Sequence, residues 1–183
     1  RPIDHNIFVW TGTDTQYKIN VLKKLFPLFD VDLSELVMFL RENGEADDNE
    51  LERHQIRRKY WAYLLPSLRE KSGIFQNVNP SKMNWITGFL GYSGVSINCI
   101  AKFDGARVEL YLGSADKERN KRLYDFLHSN QDEIEKQLTR RLIWSRADDR
   151  KASRIYFSAD NMDVSNENDW PRMAEFHATA TAE

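Results

Sequence analysis

Between Gly94 and Gly113 apolar and polar residues alternate in two runs, Val95 to Phe103 and Ala106 to Leu112, separated by Asp104-Gly105. Alternation of period two marks half-buried strands, and Asp-Gly suits a type I′ turn in which both central residues take positive φ. That turn predicts Phe103 opposite Ala106, Ala101 opposite Val108, Cys99 opposite Leu110 and Ile97 opposite Leu112, so one face of the hairpin is wholly apolar. Cys99, Ala101, Val108 and Leu110 are expected in the core. The other face carries Ser96, Asn98, Ile100 and Lys102 against Arg107, Glu109 and Tyr111, with Lys102 directly opposite Arg107 and Glu109 diagonal to it as a partial offset. Trp85 to Leu90 reads as a preceding strand and Gly91-Tyr92-Ser93-Gly94 as its loop, which makes a three-stranded meander.

Helical periodicity brackets this sheet. Ile7 to Trp10 is a short strand or an extended arm, and Val21, Leu22, Leu25 and Phe26 recur at helical spacing until Pro27. A second helix is expected from Asp32, with an Asp32/Glu35 capping box, a Leu33, Leu36, Val37, Leu40 stripe and an end at Asn43-Gly44. The acidic run from Glu45 to Glu50 then reads as a linker. A longer helix follows from Glu50 to Ser72, with Ile56, Tyr60, Tyr63, Leu64 and Leu68 inward, a kink at Pro66 and Gly73 at its end. Residues 115–138 carry Leu123, Phe126, Leu127, Ile134 and Leu138 on one side of a helix that breaks near His128-Ser129, where Asn130 and Glu133 can recap it. Leu142 to Ser145 and Arg154 to Ser158 are two more strands around a polar loop at Ala147 to Lys151. A last helix starts at Asp169-Trp170-Pro171, with Asp169 as N-cap. Strands that run consecutively rather than alternating with helices predict an α+β fold, a mixed or antiparallel sheet of about five strands with helices on one face, plus an N-terminal helical pair. The expected organisation is an N-terminal helical segment or linker region over 1–45 and an α+β domain over 50–183.

Charge divides the chain in a way its net of −2 conceals. Residues 1–52 hold 5 Lys/Arg against 11 Asp/Glu, residues 53–154 hold 20 against 11, and residues 155–183 hold 1 against 6, so a middle of +9 lies between ends of −6 and −5. Cys99 is the only cysteine, which excludes an intramolecular disulfide and fits a reducing cytoplasm. No uncharged apolar run approaches the ~18 residues of a membrane span, and no signal peptide is visible. The chain lacks an initiator Met and stops inside a predicted helix, so it is expected to be a fragment of a longer protein.

Catalytic signals are weak. His5, His54, His128 and His177 are scattered, none with a partner at metal-ligand spacing, and read as ordinary surface or helix-face histidines. Neither a phosphate-binding P-loop nor a Gly-x-Ser-x-Gly elbow occurs, and the glycines at 88, 91 and 94 fall in a strand and turn rather than at a helix start. Asp149-Arg150-Lys151, behind Asp148, has the acid-x-Lys spacing of a metal-dependent nuclease, but it lies in a hairpin loop without a second carboxylate motif and reads as a solvated loop. No catalytic residue, metal ligand or cofactor is assigned. The basic clusters carry more. Arg53, Arg57, Arg58 and Lys59 make one side of a helix cationic, and Arg140, Arg141, Arg146, Arg150, Lys151 and Arg154 cluster across the last two strands with Trp144 and Tyr156 interleaved. Clustered cations attract phosphates and aromatics stack on unpaired bases. Those six residues, with Lys102 and Arg107 on the polar sheet face, are the candidate nucleic-acid contacts. A solvated surface countered by the acidic ends is the alternative.

Arg107-Val108-Glu109-Leu110-Tyr111, a helix ending in Glu133-Ile134-Glu135, then Leu142-Ile143-Trp144, Lys151-Ala152-Ser153-Arg154-Ile155 and Asp169-Trp170-Pro171 resemble, in order and spacing, an uncharacterised bacterial family, domain of unknown function 4268. The resemblance runs from about Leu51 to the C-terminus. Such domains commonly follow restriction-endonuclease-like modules, so it implies an accessory domain of a nuclease- or defence-type protein and no catalytic residue to carry over. The leading functional expectation is a non-catalytic, cytoplasmic module that contacts nucleic acid through its basic surface; the alternative is a protein–protein interaction or dimerisation module. Expected partners are DNA or RNA, an upstream nuclease-like domain, or a second copy of the chain, and no membrane. If basic side chains converge on one face the first reading gains, and if they scatter among acids the second does.

Overall fold

A computed structural model describes the backbone of residues 33–183 and the side chains from Glu50 onward. The Ile7–Trp10 strand or arm, the Val21–Phe26 helix and the Asp32 capping box lie outside the described residues. The chain divides into two units, Arg1–Glu52 and Arg53–Glu183, and the architecture that follows is that of the second.

Helix α1 is Leu33–Lys71. The end expected at Asn43-Gly44 and the linker expected at Glu45 to Glu50 are both helical. Neither stretch contains proline, and one interior glycine costs about 1 kcal/mol, too little to interrupt a long cooperative helix. α1 continues through Pro66, which is exposed together with Ala62, so water can satisfy the carbonyl that Pro66 cannot bond. Tyr60, Leu64 and Leu68 are buried as their spacing predicts, Trp61 and Leu65 widen the stripe, and Tyr63 is 47% exposed rather than inward. The chain then makes a 3₁₀ turn, Gly73–Phe75, against the first strand.

Five antiparallel strands follow: β1 Trp85–Phe89, β2 Val95–Ala101, β3 Gly105–Leu112, β4 Ile143–Ser145 and β5 Ser153–Asp160. Their order across the sheet is β1-β2-β3-β5-β4. Gly91 and Gly94, with φ of 82° and 77°, supply the left-handed conformations of the β1–β2 turn. Helix α2, Lys117–Ser129, separates β3 from a short helix α3, Gln131–Glu135, and helix α4, Trp170–Ala182, closes the chain after a 3₁₀ turn, Glu167–Asp169. The α+β fold with five strands is as the sequence predicts.

The β2–β3 register differs from the predicted one by two residues. Ala101 pairs with Ala106, Cys99 with Val108, Ile97 with Leu110 and Val95 with Leu112. Faces survive a slip of two, so Cys99, Ala101 and Val108 are buried as expected and Leu110 is partly so. The type I′ turn does not form: neither Asp104 nor Gly105 has positive φ. Gly105 instead begins β3 and pairs with Asp160 on β5, where a Cβ would lie 2.5 Å from the Ala159 carbonyl oxygen. Glycine stands at 105 for a close strand approach, and the turn moves back to Phe103-Asp104, closed by Lys102 N–H donating to Gly105 O at 2.9 Å. Lys102 therefore does not oppose Arg107.

Both hydrophobic clusters draw on one face of the sheet. Tyr60, Trp61, Leu64, Leu68, Phe75, Met173 and Ala178 pack on Ile86, Cys99, Ala101, Val108 and Phe157, while Tyr124 of α2 packs on Leu112 and Ile155. Two predicted caps are not made by side chains. Asp169 Oδ2 accepts from Asp163 N at 3.0 Å instead of capping α4, and Asn130 donates to Phe126 O at 2.8 Å instead of capping α3. Asp116, unpredicted, caps α2 by accepting from Arg119 N at 3.0 Å.

Candidate functional site

On the other face, strand register sets side chains in rows. One row reads Phe89, Ser96, Tyr111, Arg154, Ser145 across β1, β2, β3, β5 and β4; the next reads Thr87, Asn98, Glu109, Tyr156, Ile143; the third reads Trp85, Ile100, Arg107, Ser158. Glu109 is the centre of this face and only 4% exposed. Its Oε1 accepts from Asn98 Nδ2 at 3.1 Å, and Thr87 Oγ1 donates to Asn98 Oδ1 at 2.9 Å, which orients the amide. Its Oε2 lies 3.1 Å from Arg107 Nη2 and 3.5 Å from Arg154 Nε, ion pairs without hydrogen-bond alignment. Each arginine also lies over a tyrosine: Arg107 on Tyr156 at 4.9 Å and Arg154 on Tyr111 at 5.2 Å. Two predicted cations thus meet here, but around a shared carboxylate that compensates them, with their planar faces occupied.

Of the remaining six predicted contacts, four face acids. Arg140 pairs with Glu183 and donates to Thr179 Oγ1 at 2.8 Å. Arg146 holds Asp125 through two bonds of 2.7 and 3.0 Å and also pairs with Asp148. Arg150 faces Asp149 at 3.6 Å, Lys102 faces Asp104 at 3.8 Å, and Arg141 and Lys151 are exposed. The bond to Arg146 holds the Asp125 carboxyl below its ordinary range. Asp148 and Asp149 thus face arginines, and among the described residues no group of three His, Cys, Asp or Glu could hold a metal ion.

What organises the β4–β5 loop is a residue the sequence did not single out. Lys121 on α2 is 3% exposed, and its ammonium donates to Arg146 O at 2.5 Å, Ala147 O at 2.8 Å, Ser153 Oγ at 3.0 Å and Ala152 O at 3.2 Å. Burial lowers its pKa, and Lys117 and Arg146 add to that. Asn120 beside it bonds Ser114 O and Lys151 O, and Ala147 sits at φ 52° in the clamped loop. A lysine and an asparagine adjacent on a helix otherwise rich in charge gave no sign of inward direction.

His177, which the sequence groups with the surface or helix-face histidines, is fully buried. Its Nε2 donates to Ile100 O at 3.1 Å, so Nδ1 is the acceptor for the Tyr60 hydroxyl at 2.6 Å. Spacing carried the signal: Trp170, Met173, Ala174, His177 and Ala178 form one helical stripe, all buried.

An open apolar groove lies along α2. A groove of about 610 Å³ between α2 and the β1–β2 turn has a floor of Val95, Leu110, Leu112, Leu123 and Leu127, sides of Leu90 and Tyr92, and Arg119 and Arg122 along its rim. Tyr92 is 73% exposed, and Phe126 on α2, which periodicity places inward, is 66% exposed. Among the described residues neither Arg119 nor Arg122 has an acidic side chain within ion-pair distance. A second apolar cavity, about 220 Å³, shares Leu110 and Leu127 with this groove and extends to Leu138, Leu142 and Trp144. Their polar spacing hid the two arginines among the other cations, since nothing in a sequence says which cations have acids to face.

A family model described as Domain of unknown function (DUF4268) matches residues 56–183. No curated protein and no solved structure matches the chain.

Proposed function

The chain belongs to the DUF4268 family, a domain of unknown function, over residues 56–183, and from that premise we propose that it is a non-catalytic accessory module that binds a protein partner within a larger bacterial nuclease- or defence-type protein. One contrast carries this reading: Arg107, Arg140, Arg146, Arg150 and Arg154 each face an acid of the same chain, whereas large apolar side chains and two unpaired arginines border the α2 groove. Phosphate binding draws its free energy from cations that release counterions on contact, and a guanidinium already facing a carboxylate contributes little. Exposed apolar surface rimmed by polar groups is the ordinary mark of a protein contact. Nucleic acid is the second reading, supported by Arg107, Arg154, Tyr111 and Tyr156 sharing one sheet face.

Two titrations test the choice. Anilinonaphthalene sulfonate should bind the native chain saturably and lose most of its fluorescence gain in a Leu90→Ser, Tyr92→Ser, Phe126→Ser variant whose circular dichroism is unchanged. Labelled single- and double-stranded DNA at low salt should show no saturable binding. Saturable DNA binding abolished by Arg107→Ala with Arg154→Ala would transfer the proposal to the sheet face.

A further inference from the structure

We propose that the groove between α2 and the β1–β2 turn seats an acidic amphipathic helix of a partner protein. The inference rests on the protein-binding reading above and names its surface and the partner's chemistry. Arg119, Arg122, Leu123 and Phe126 recur at spacings of three and four along α2, so they form one ridge, and ridges of this spacing are complementary to the grooves of another helix. The ridge is polarised. Its N-terminal half presents Arg119 and Arg122, and its C-terminal half presents Phe126, 66% exposed, beside the partly buried Leu123 and Leu127.

Charge complementarity fixes the sign of the partner. Cations in the N-terminal half of a helix oppose its dipole, and α2 carries Lys117, Arg119, Lys121 and Arg122 there, with Glu118 and the Asp116 cap as the acids. Arg107, Arg140, Arg146, Arg150 and Arg154 each face an acid of the same chain and these two do not, so carboxylates spaced three or four apart on a docked helix would meet guanidiniums of the same spacing. Apolar side chains on the same stripe of that helix would reach Leu90, Tyr92, Val95 and Leu123. The floor can yield to a large anchor, because Leu110 and Leu127 also border the second apolar cavity and have space behind them. Two arginines are too few to hold a phosphate backbone, which favours a peptide.

The test is a phage-displayed library of helix-forming peptides selected on the intact chain and, in parallel, on Arg119→Glu with Arg122→Glu. Sequences selected on the wild type should be enriched in Asp or Glu pairs three or four apart beside an apolar stripe, and a synthetic winner should bind the double variant at least about tenfold more weakly, the loss of roughly two exposed-to-half-buried charge pairs. A Phe126→Ser variant should weaken it severalfold. Winners that are neutral or basic, or that bind the double variant equally, overturn the acidic partner while sulfonate binding keeps the apolar-surface reading alive. No enrichment at all, with sulfonate binding intact, also overturns it. Binding to phosphatidylglycerol vesicles that is lost in the double variant, without peptide binding, assigns the groove to a lipid surface instead.

Discussion

His177 should set the pH at which this fold weakens in acid. Its two ring nitrogens are satisfied only in the neutral form: a proton on Nδ1 would confront the Tyr60 hydroxyl, which now donates to it, and the Ile100 carbonyl already takes the proton on Nε2. The neighbours offer no negative charge. Burial holds the Tyr60 hydroxyl protonated and pushes the Cys99 thiol up to about 12, and burial accordingly lowers His177 to about 4 from an ordinary 6.5. Above pH 6.5 neither the folded nor the unfolded chain carries this proton, and the stability is fully present. Between pH 6.5 and 4 the unfolded chain binds a proton that the folded chain refuses, and stability falls by about 1.4 kcal/mol per pH unit, roughly 3 kcal/mol in all. Urea denaturation at pH 7.5, 6 and 5 measures it against His177→Gln. The variant starts less stable but loses about 2 kcal/mol less between pH 7.5 and 5. Carboxyls held low by their partners, such as Asp125 through Arg146 and Glu135 through Trp144, titrate in both proteins and cancel in the difference. Curves for the two proteins that run parallel within about 0.5 kcal/mol would remove His177 as the cause.

Two further changes probe the sheet by chemical denaturation. Glu109→Gln keeps an acceptor for Asn98 but leaves Arg107 and Arg154 uncompensated, and should cost about 2–4 kcal/mol, below the full value for a deeply buried pair because both arginines are a quarter exposed. Adding Arg154→Gln should restore part of that loss, and a single-variant cost under about 0.5 kcal/mol would mean the carboxylate is not holding the pair. Gly105→Asn separates the two accounts of that glycine: in a type I′ turn Asn would be nearly neutral, whereas a Cβ 2.5 Å from the Ala159 carbonyl should cost at least about 2 kcal/mol, matched by Gly105→Ala.

The residues that the sequence placed correctly are those fixed by periodicity. Cys99, Ala101 and Val108 fall on the buried face whether the hairpin closes at Asp104-Gly105 or one residue earlier, because a slip of two preserves every face. Register itself escaped, since it depends on β5, whose approach at Gly105 no local pattern reveals. Fold class and the one-sided packing of the helices follow from the same periodicity, while the inward Lys121 and the His177–Tyr60 bond join residues far apart in the chain.

The proposed binding surface inverts the sequence's ranking of cations for a physical reason. A cluster of arginines in sequence predicts an electropositive surface only if acids do not fold back onto it. Here they do: Glu109 is drawn under Arg107 and Arg154 by the β3–β5 register, Asp125 reaches Arg146 from α2, and Glu183 returns to Arg140 from the end of α4. The excess of +9 in the middle of the chain therefore resides in cations that no acid faces, Arg119 and Arg122 among them. Because these two stand beside Tyr92 and the Leu123–Leu127 turn of α2, the charge that remains is coupled to apolar surface. A phosphate backbone uses only the charge in such a pairing. An acidic amphipathic helix uses both, and it desolvates the two arginines against carboxylates where their attraction is least screened.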